Sequence, residues 1–469
     1  MLRHRLRTWL ILGCIILFTF VLWDLNQEGE IIHHRGGQRA NESNPSELFK
    51  EHCQYLENDI EGQEGDVPEA YEIVALVLAF RHGERSPVVP IMPDAVQPDC
   101  SAYFDTHRRA FSALEQLITS QDFQTFLRID QKFGKYPQFP DRSRCQLGRM
   151  TAEGALQLVR LGNLLRGKYF SAGLLKGLNA EDVFIISSLF PRTFQSAIAF
   201  TSSFFFPLLN SNFTSLTLKS SKNTYFCWDK ECVCPALKRF RIEFELERSK
   251  NFFSNSPPVL RQRLQNLIKI VGIKVLEHPL EFVDAVLGRY ACRRLPLPCD
   301  KNRECVTFED FQDSLQEAKQ IVKRLSQSTP LNSLARRLFV TESYTILRDL
   351  RNVIAKVQSG YGKQVRVYSG HDVTLEPLIF SLGLENDTQF VHYASRIAFE
   401  VYKSKRPNTD PEASVLLKII VNGFDQTSNI GFCKPLLYGL CSALNFEKFF
   451  ESAFFQMAGA KNHDDLCAH

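Results

Sequence analysis

The sequence predicts an α/β fold: a mostly parallel sheet flanked by helices, with a mainly helical cap insertion. Three observations predict it. Short, continuously apolar runs such as "EIVALVLAF" (72–80) have the pattern of strands buried on both faces. Stretches of helical period alternate with them, beginning with "MTAEGALQLVRLGNLLRGKYF" (150–170). Between the second and third runs, over roughly 236–335, the chain turns long, charged and helical in period. With 469 residues, 44% of them hydrophobic, it can bury a large core or two domains. The formal net charge is only +4 and Lys and Arg are not massed in one block, which excludes a general nucleic-acid binder.

The elements follow in order. Residues 1–7 carry Arg3, Arg5 and Arg7, and 8–23 carry no charge. That apolar run is longer than a usual signal h-region and shorter than a usual spanning helix, and Asp24-Leu25-Asn26-Gln27 follows in place of a small-x-small cleavage site. It reads as an uncleaved signal anchor with 1–7 as a cytosolic tail and the rest facing a lumen, with a cleaved signal peptide as the alternative. Its shortness suits the thinner membranes of the early secretory pathway. Residues 24–70 are polar and read as a luminal stalk; His33 and His34 there read as solvated rather than metal-binding. The first core part spans 71–235, with strands at 72–80 and 181–188 and the helix at 150–170 between them. In that helix Ala155, Leu156, Leu158, Val159, Leu161, Leu164 and Leu165 form a broad apolar face. The cap insertion is 236–335. The second core part, 336–469, holds strands at 363–369, 395–402 and 414–423.

Of the 13 cysteines, Cys14 lies in the anchor; the even number beyond it fits disulfides in an oxidising compartment, with the pairing left open. Cys227, Cys232 and Cys234 do not have a usual structural-zinc spacing. Asn41, Asn212 and Asn386 head N-x-S/T sequons and are glycosylation candidates.

In open parallel sheets, ligands bind beyond the carboxyl ends of the strands. The first strand runs into Arg81-His82-Gly83-Glu84-Arg85, the second into Ser187-Ser188-Leu189-Phe190-Pro191-Arg192-Thr193, and the third into Ser369-Gly370-His371-Asp372. Each piece alone is weak: His371 reads as a structural histidine, Arg192 as a surface or capping residue, Asp372 as the cap of the next helix. Together they have a physical use. A phosphate monoester dianion needs fork-shaped cationic donors, which Arg supplies. A neutral imidazole can attack phosphorus, and a carboxylic acid can protonate the departing alkoxide. Gly83 would let backbone and phosphate approach closely.

"RHGERSP", "SSLFPRTFQSA" and "SGHDVTLEPL", in that order, resemble the histidine acid phosphatase family over roughly 71–455, and the 150–170 helix resembles the family's helix between the first two motifs. The resemblance implies that His82 is the nucleophile that becomes phosphohistidine. It implies that Arg81, Arg85, Arg192 and His371 hold the phosphate and that Asp372 is the proton donor. It implies a histidine phosphatase-like core with a smaller helical cap, and no metal or cofactor. Glu84 occupies a variable position and receives no role. Pro191 stands where typical members carry an acidic residue, and Gly370 where alanine is common.

The groups Cys227/Cys232/Cys234, Cys299/Cys305 and Asn422/Asp425/Cys433, with the anchor, resemble members that act in the Golgi. That closer resemblance implies a single-pass type II membrane enzyme removing 2-O-phosphate from the xylose of the glycosaminoglycan–protein linkage region, with glycosyltransferases of that pathway as partners and no nucleic acid. Two other readings stand beside it: a broad-specificity lysosomal or secreted acid phosphatase, and a dormant phosphate-binding relative. A glycosyltransferase shares the tail, anchor and stalk, but the luminal region has no persuasive D-x-D metal motif.

Overall fold

The apolar run at 72–80 becomes strand β1 (Tyr71–Arg81), buried at every residue except Glu72. The computed structural model describes residues 45–90, 92, 98–141, 145–208, 215–327, 333–384, 391–406 and 410–468. The anchor at 8–23, His33, His34 and the sequons at Asn41, Asn212 and Asn386 lie outside them. Among the described residues no helix is long and apolar enough to cross a membrane. The other strands are β2 (Leu127–Ile129), β3 (Val183–Ser188), β4 (Leu216–Ser221), β5 (Gln364–Gly370), β6 (Arg396–Ser404), β7 (Val415–Val421), β8 (Phe424–Asp425) and β9 (Cys441–Ser442). The principal helices are α1 (Pro45–Cys53), α2 (Asp105–Thr119), α3 (Ala152–Ser171), α4 (Pro191–Phe204), α5 (Leu237–Asn255), α6 (Pro258–Val271), α7 (Pro279–Val286), α8 (Phe308–Ser326), α9 (Leu334–Gln358) and α10 (Asp372–Ser381).

The strands form one sheet in the order β2-β4-β3-β5-β1-β6-β7-β8, with β9 beside β7. From β2 to β1 every pairing is parallel. The pairings of β6, β7, β8 and β9 are antiparallel. A parallel neighbour needs a long crossover, and none separates β6 from β7, so that pair closes as antiparallel. Alternation along β1 sends Leu76, Leu78 and Phe80 to one face and Val77 and Ala79 to the other. Helices α2, α3 and α4 cover the first face; α9, α10 and the C-terminal helices cover the second. Covering both faces is what makes β1 almost wholly apolar. Helix α3 starts where Thr151 Oγ1 accepts the Gly154 N–H at 3.0 Å.

Helices α5 to α8 form the cap, and α6, α7 and α8 close around Leu264, Leu267, Phe282 and Phe311. Helix α8 opens with a capping box between Thr307 and Asp310. Among the described residues six disulfides pair Cys53–Cys292, Cys100–Cys145, Cys227–Cys232, Cys234–Cys467, Cys299–Cys305 and Cys433–Cys441. The three-cysteine group at 227–234 is thus covalently paired, two of its members with each other and one with the C-terminal helix.

The segment expected as a stalk differs in its second half. Residues 45–70 lie against the body: Cys53 is bonded to the cap, Glu64 meets Arg396 at 2.6 Å, and the Gly65 N–H donates to Glu400 at 2.7 Å. The attachment uses a disulfide, buried polar pairs and a few scattered apolar contacts such as Phe49 on Phe308 and Phe311, so a polar composition conceals it.

Candidate active site

The register of the sheet sets the site. Arg81 at the end of β1 pairs with Gly370 at the end of β5, and Ser187 of β3 pairs with Ser369 of β5. The three strand ends therefore emerge side by side at the carboxyl edge. All six residues singled out from the sequence, Arg81, His82, Arg85, Arg192, His371 and Asp372, come together there. The His82 and His371 rings lie 5.5 Å apart, Arg81 Nη2 is 2.9 Å from Asp372 Oδ2, and Arg192 Nη2 is 3.3 Å from His371 Nδ1. Helices α4 and α10 begin at this edge, and their N-termini add partial positive charge. Pro191 is the first residue of α4, where its fixed φ and missing N–H are favourable.

His82 is fully buried, and its Nδ1 lies 2.8 Å from the Gly83 carbonyl. A carbonyl only accepts, so Nδ1 carries the hydrogen and Nε2 keeps its lone pair. Burial, then Arg192, Arg81 and Arg85, push the imidazole well below its ordinary range, so it is neutral. The loop is fixed by a close approach to α3. A Cβ on Gly83 would sit 2.0 Å from the Gly154 carbonyl oxygen, and one on Gly154 would sit 2.2 Å from that of Glu84. Glycine at 83 is thus required by helix packing, a constraint different from the close phosphate approach expected of it.

His371 is oriented by a hydroxyl chain. Arg192 donates to Nδ1, so Nε2–H donates to Ser188 Oγ at 2.8 Å, which bonds Thr193 Oγ1 at 2.9 Å, which donates to the Ser188 carbonyl at 2.9 Å. Burial and then Arg192 hold this imidazole neutral too. Arg81 donates to the Val391 carbonyl and lies 4.7 Å from the Tyr393 ring centroid. Burial and the neighbouring Arg85 lower Arg192 to about 10, so it stays charged at neutral pH. Burial opposes ionisation of Asp372, but Arg81, Arg85 and His371 outweigh it and hold the carboxyl well below the usual carboxylate range.

Asp284 of the cap was not legible. Its Oδ1 accepts from Arg85 Nη1 at 2.6 Å and its Oδ2 from the Val88 N–H at 2.7 Å, so a cap helix fixes an arginine of the core. Asp284 and Glu281 are the two acids of the otherwise apolar helix "PLEFVDAV", and nothing in that pattern hints at the partner of Asp284. Glu84 likewise bonds Arg293 at 2.9 Å, tying the same loop to the residue after Cys292.

Residues 72–422 match the family described as the histidine phosphatase superfamily, branch 2. The chain belongs to that superfamily. This histidine phosphatase is a phosphoric monoester hydrolase. It is 26% identical over 420 residues to 2-phosphoxylose phosphatase 1 of Xenopus tropicalis, covering 86% of this chain and 79% of that protein. It is 25% identical over 452 residues to the Danio rerio protein of the same name, covering 89% and 86%. Among solved structures, the phytase from D. castellii aligns with a TM-score of 0.47 at 12% identity, over 95% of this chain and 92% of that one.

Proposed function

We propose that this histidine phosphatase removes the 2-O-phosphate from xylose in the glycosaminoglycan–protein linkage region, through a phosphohistidine on His82. In this reading it is a luminal enzyme of the Golgi membrane held by the 8–23 anchor, and the linkage-pathway glycosyltransferases are its neighbours. The observation that carries the chemistry is a neutral His82, with its Nε2 lone pair free of the Gly83 bond, enclosed by Arg81, Arg85 and Arg192. The names of the two relatives supply the substrate.

The steps follow from the groups present. The arginines bind the phosphate dianion, replacing the carboxylate that Arg81 holds in the free enzyme, and His371 joins them on gaining a proton at Nδ1. The arriving negative charge cancels the field that keeps Asp372 ionised, so its pKa rises and it takes up a proton. Nε2 attacks phosphorus, the P–O bond to the sugar breaks, and Asp372 gives its proton to the departing oxygen. Water then attacks the phosphohistidine as the Asp372 carboxylate takes a water proton, releasing inorganic phosphate and restoring the imidazole.

Two variants test this. His82→Ala should lose turnover of every phosphomonoester and fail to trap labelled phosphate on acid quench. Asp372→Asn should slow a phosphoxyloside, whose leaving alkoxide needs a proton, by about 10²–10⁴, and an aryl phosphate much less. Substantial turnover by His82→Ala removes the covalent mechanism. Rapid hydrolysis of aryl phosphates with none of phosphoxylosides favours a broad acid phosphatase, and neither trapping nor turnover by the unaltered protein favours a dormant relative.

A further inference from the structure

One helical turn beyond Asp372, between cap and core, lies a cavity of about 540 Å³. Its charged walls are Arg248 of α5, Lys319 and Lys323 of α8, Arg336 of α9 and Glu376 of α10. Among the described lining residues Glu376 is the single acid against four cations. Outside the lining, Glu51 of α1 acts on Lys319 and Glu245 of α5 pairs with Arg248, which temper the excess without removing it. Two of the cations are fixed: Arg248 donates to Glu245 and to His278 Nε2, and Arg336 Nε donates to the Ser326 carbonyl at 2.7 Å. Phe244, Phe339 and Phe380 add aromatic rings to the lining.

The cavity adjoins the phosphate site. Asp372 and Glu376 stand four residues apart on α10, hence on one face of the helix, about 5–6 Å between their Cβ atoms. Glu376 feels both Arg81 of the phosphate site and Arg248 of the cap, so it sits between them. Burial, then Asp372, push its carboxyl up to about 7. In a mildly acidic compartment it is protonated and does not repel an anion.

A cation-walled cavity with aromatic rings in its lining suits a sugar ring that carries an acid: the aromatic lining takes the apolar ring face and the walls take the charge. We propose that this cavity is a subsite for an acid-bearing saccharide unit, a carboxylate or sulfate on a sugar joined to the phosphorylated one. The inference rests on the reading of a phosphorylated saccharide as substrate and extends it: the enzyme selects phosphosugars by the acidic sugar beyond them.

The test compares a phosphoxylosyl oligosaccharide ending in a uronic acid with its carboxyl-reduced neutral counterpart, on the full-length protein and on Lys319→Gln/Lys323→Gln. The full-length protein should show a KM for the acidic compound lower by roughly 3- to 10-fold, and in the double variant the ratio should fall towards one. Equal KM values in the unaltered protein, or a ratio that the variant leaves intact, overturn the proposal. If phosphoxylosides are not turned over while aryl phosphates are, the substrate reading fails by itself. The cavity is then decided by calorimetry with the unphosphorylated uronate oligosaccharide. Salt-sensitive binding weakened in the double variant supports the subsite, and no binding, or binding equal in both proteins, overturns it.

Discussion

Asp284 illustrates how much of the site depends on single side chains outside the motifs. It fixes Arg85 through one oxygen and the Val88 N–H through the other. A charge-assisted bond of this kind contributes about 1.5–3 kcal/mol, and without it Arg85 loses its preset orientation. Asp284→Ala should therefore raise KM for any phosphomonoester by roughly tenfold or more, while a primary effect on the proton donor would lower kcat instead. Steady-state kinetics separate the two, and an unchanged KM would count against the positioning role. The six site residues were readable because each sits next to an apolar strand and their types are complementary. Asp284 was not, because its partner is 199 residues away along the chain and no local pattern records that distance.

At the scale of elements, the contact between the loop after β1 and the first turn of α3 is the tightest that matters to the site. Backbone meets backbone where Gly83 faces Gly154, with no room for a methyl group. Gly154→Ala places that methyl against the Glu84 carbonyl, far from any substrate, and should destabilise the protein by about 1–3 kcal/mol while displacing His82. A lower melting temperature together with weaker phosphate binding is the expected result; full activity would mean that the loop yields. The central elements were legible for physical reasons. Strand β1 is buried on both faces and carries a nearly unbroken apolar run, β3 and β5 carry shorter ones interrupted by polar residues such as Arg366, and α3 shows its helical period directly. The three-residue β2 and the half-exposed β4 lie at the sheet's far side, where no such run is required, and they left no readable trace. The docking of 45–70 was hidden because its anchors, Cys53 and Glu64, look polar or ambiguous in sequence.

The whole molecule carries buried titratable groups of both kinds, and their opposing shifts set a stability window. Burial, joined by Asp372 at Glu376, pushes Glu376 and Glu400 up to about 7 from 4.5. Between those values the folded state holds protons that the unfolded chain has released, so stability falls as pH rises. Burial lowers His278 to about 3 and His392 to about 4 from 6.5, so below 6.5 the unfolded chain binds protons that the folded state does not, and stability falls as pH drops. The melting temperature should peak between pH 4.5 and 6.5 and decline at pH 8 and at pH 4; calorimetry across that range checks it, and a maximum at pH 8 would contradict the assignment. The covalent links act on the same scale. Cys234, just before the first cap helix, finds its partner Cys467 only 233 residues later. A ribosome that has finished the cap must still deliver the last stretch of chain before this link can close. A chain cut short of Cys467 would therefore carry every motif and a loose thiol at the root of its cap.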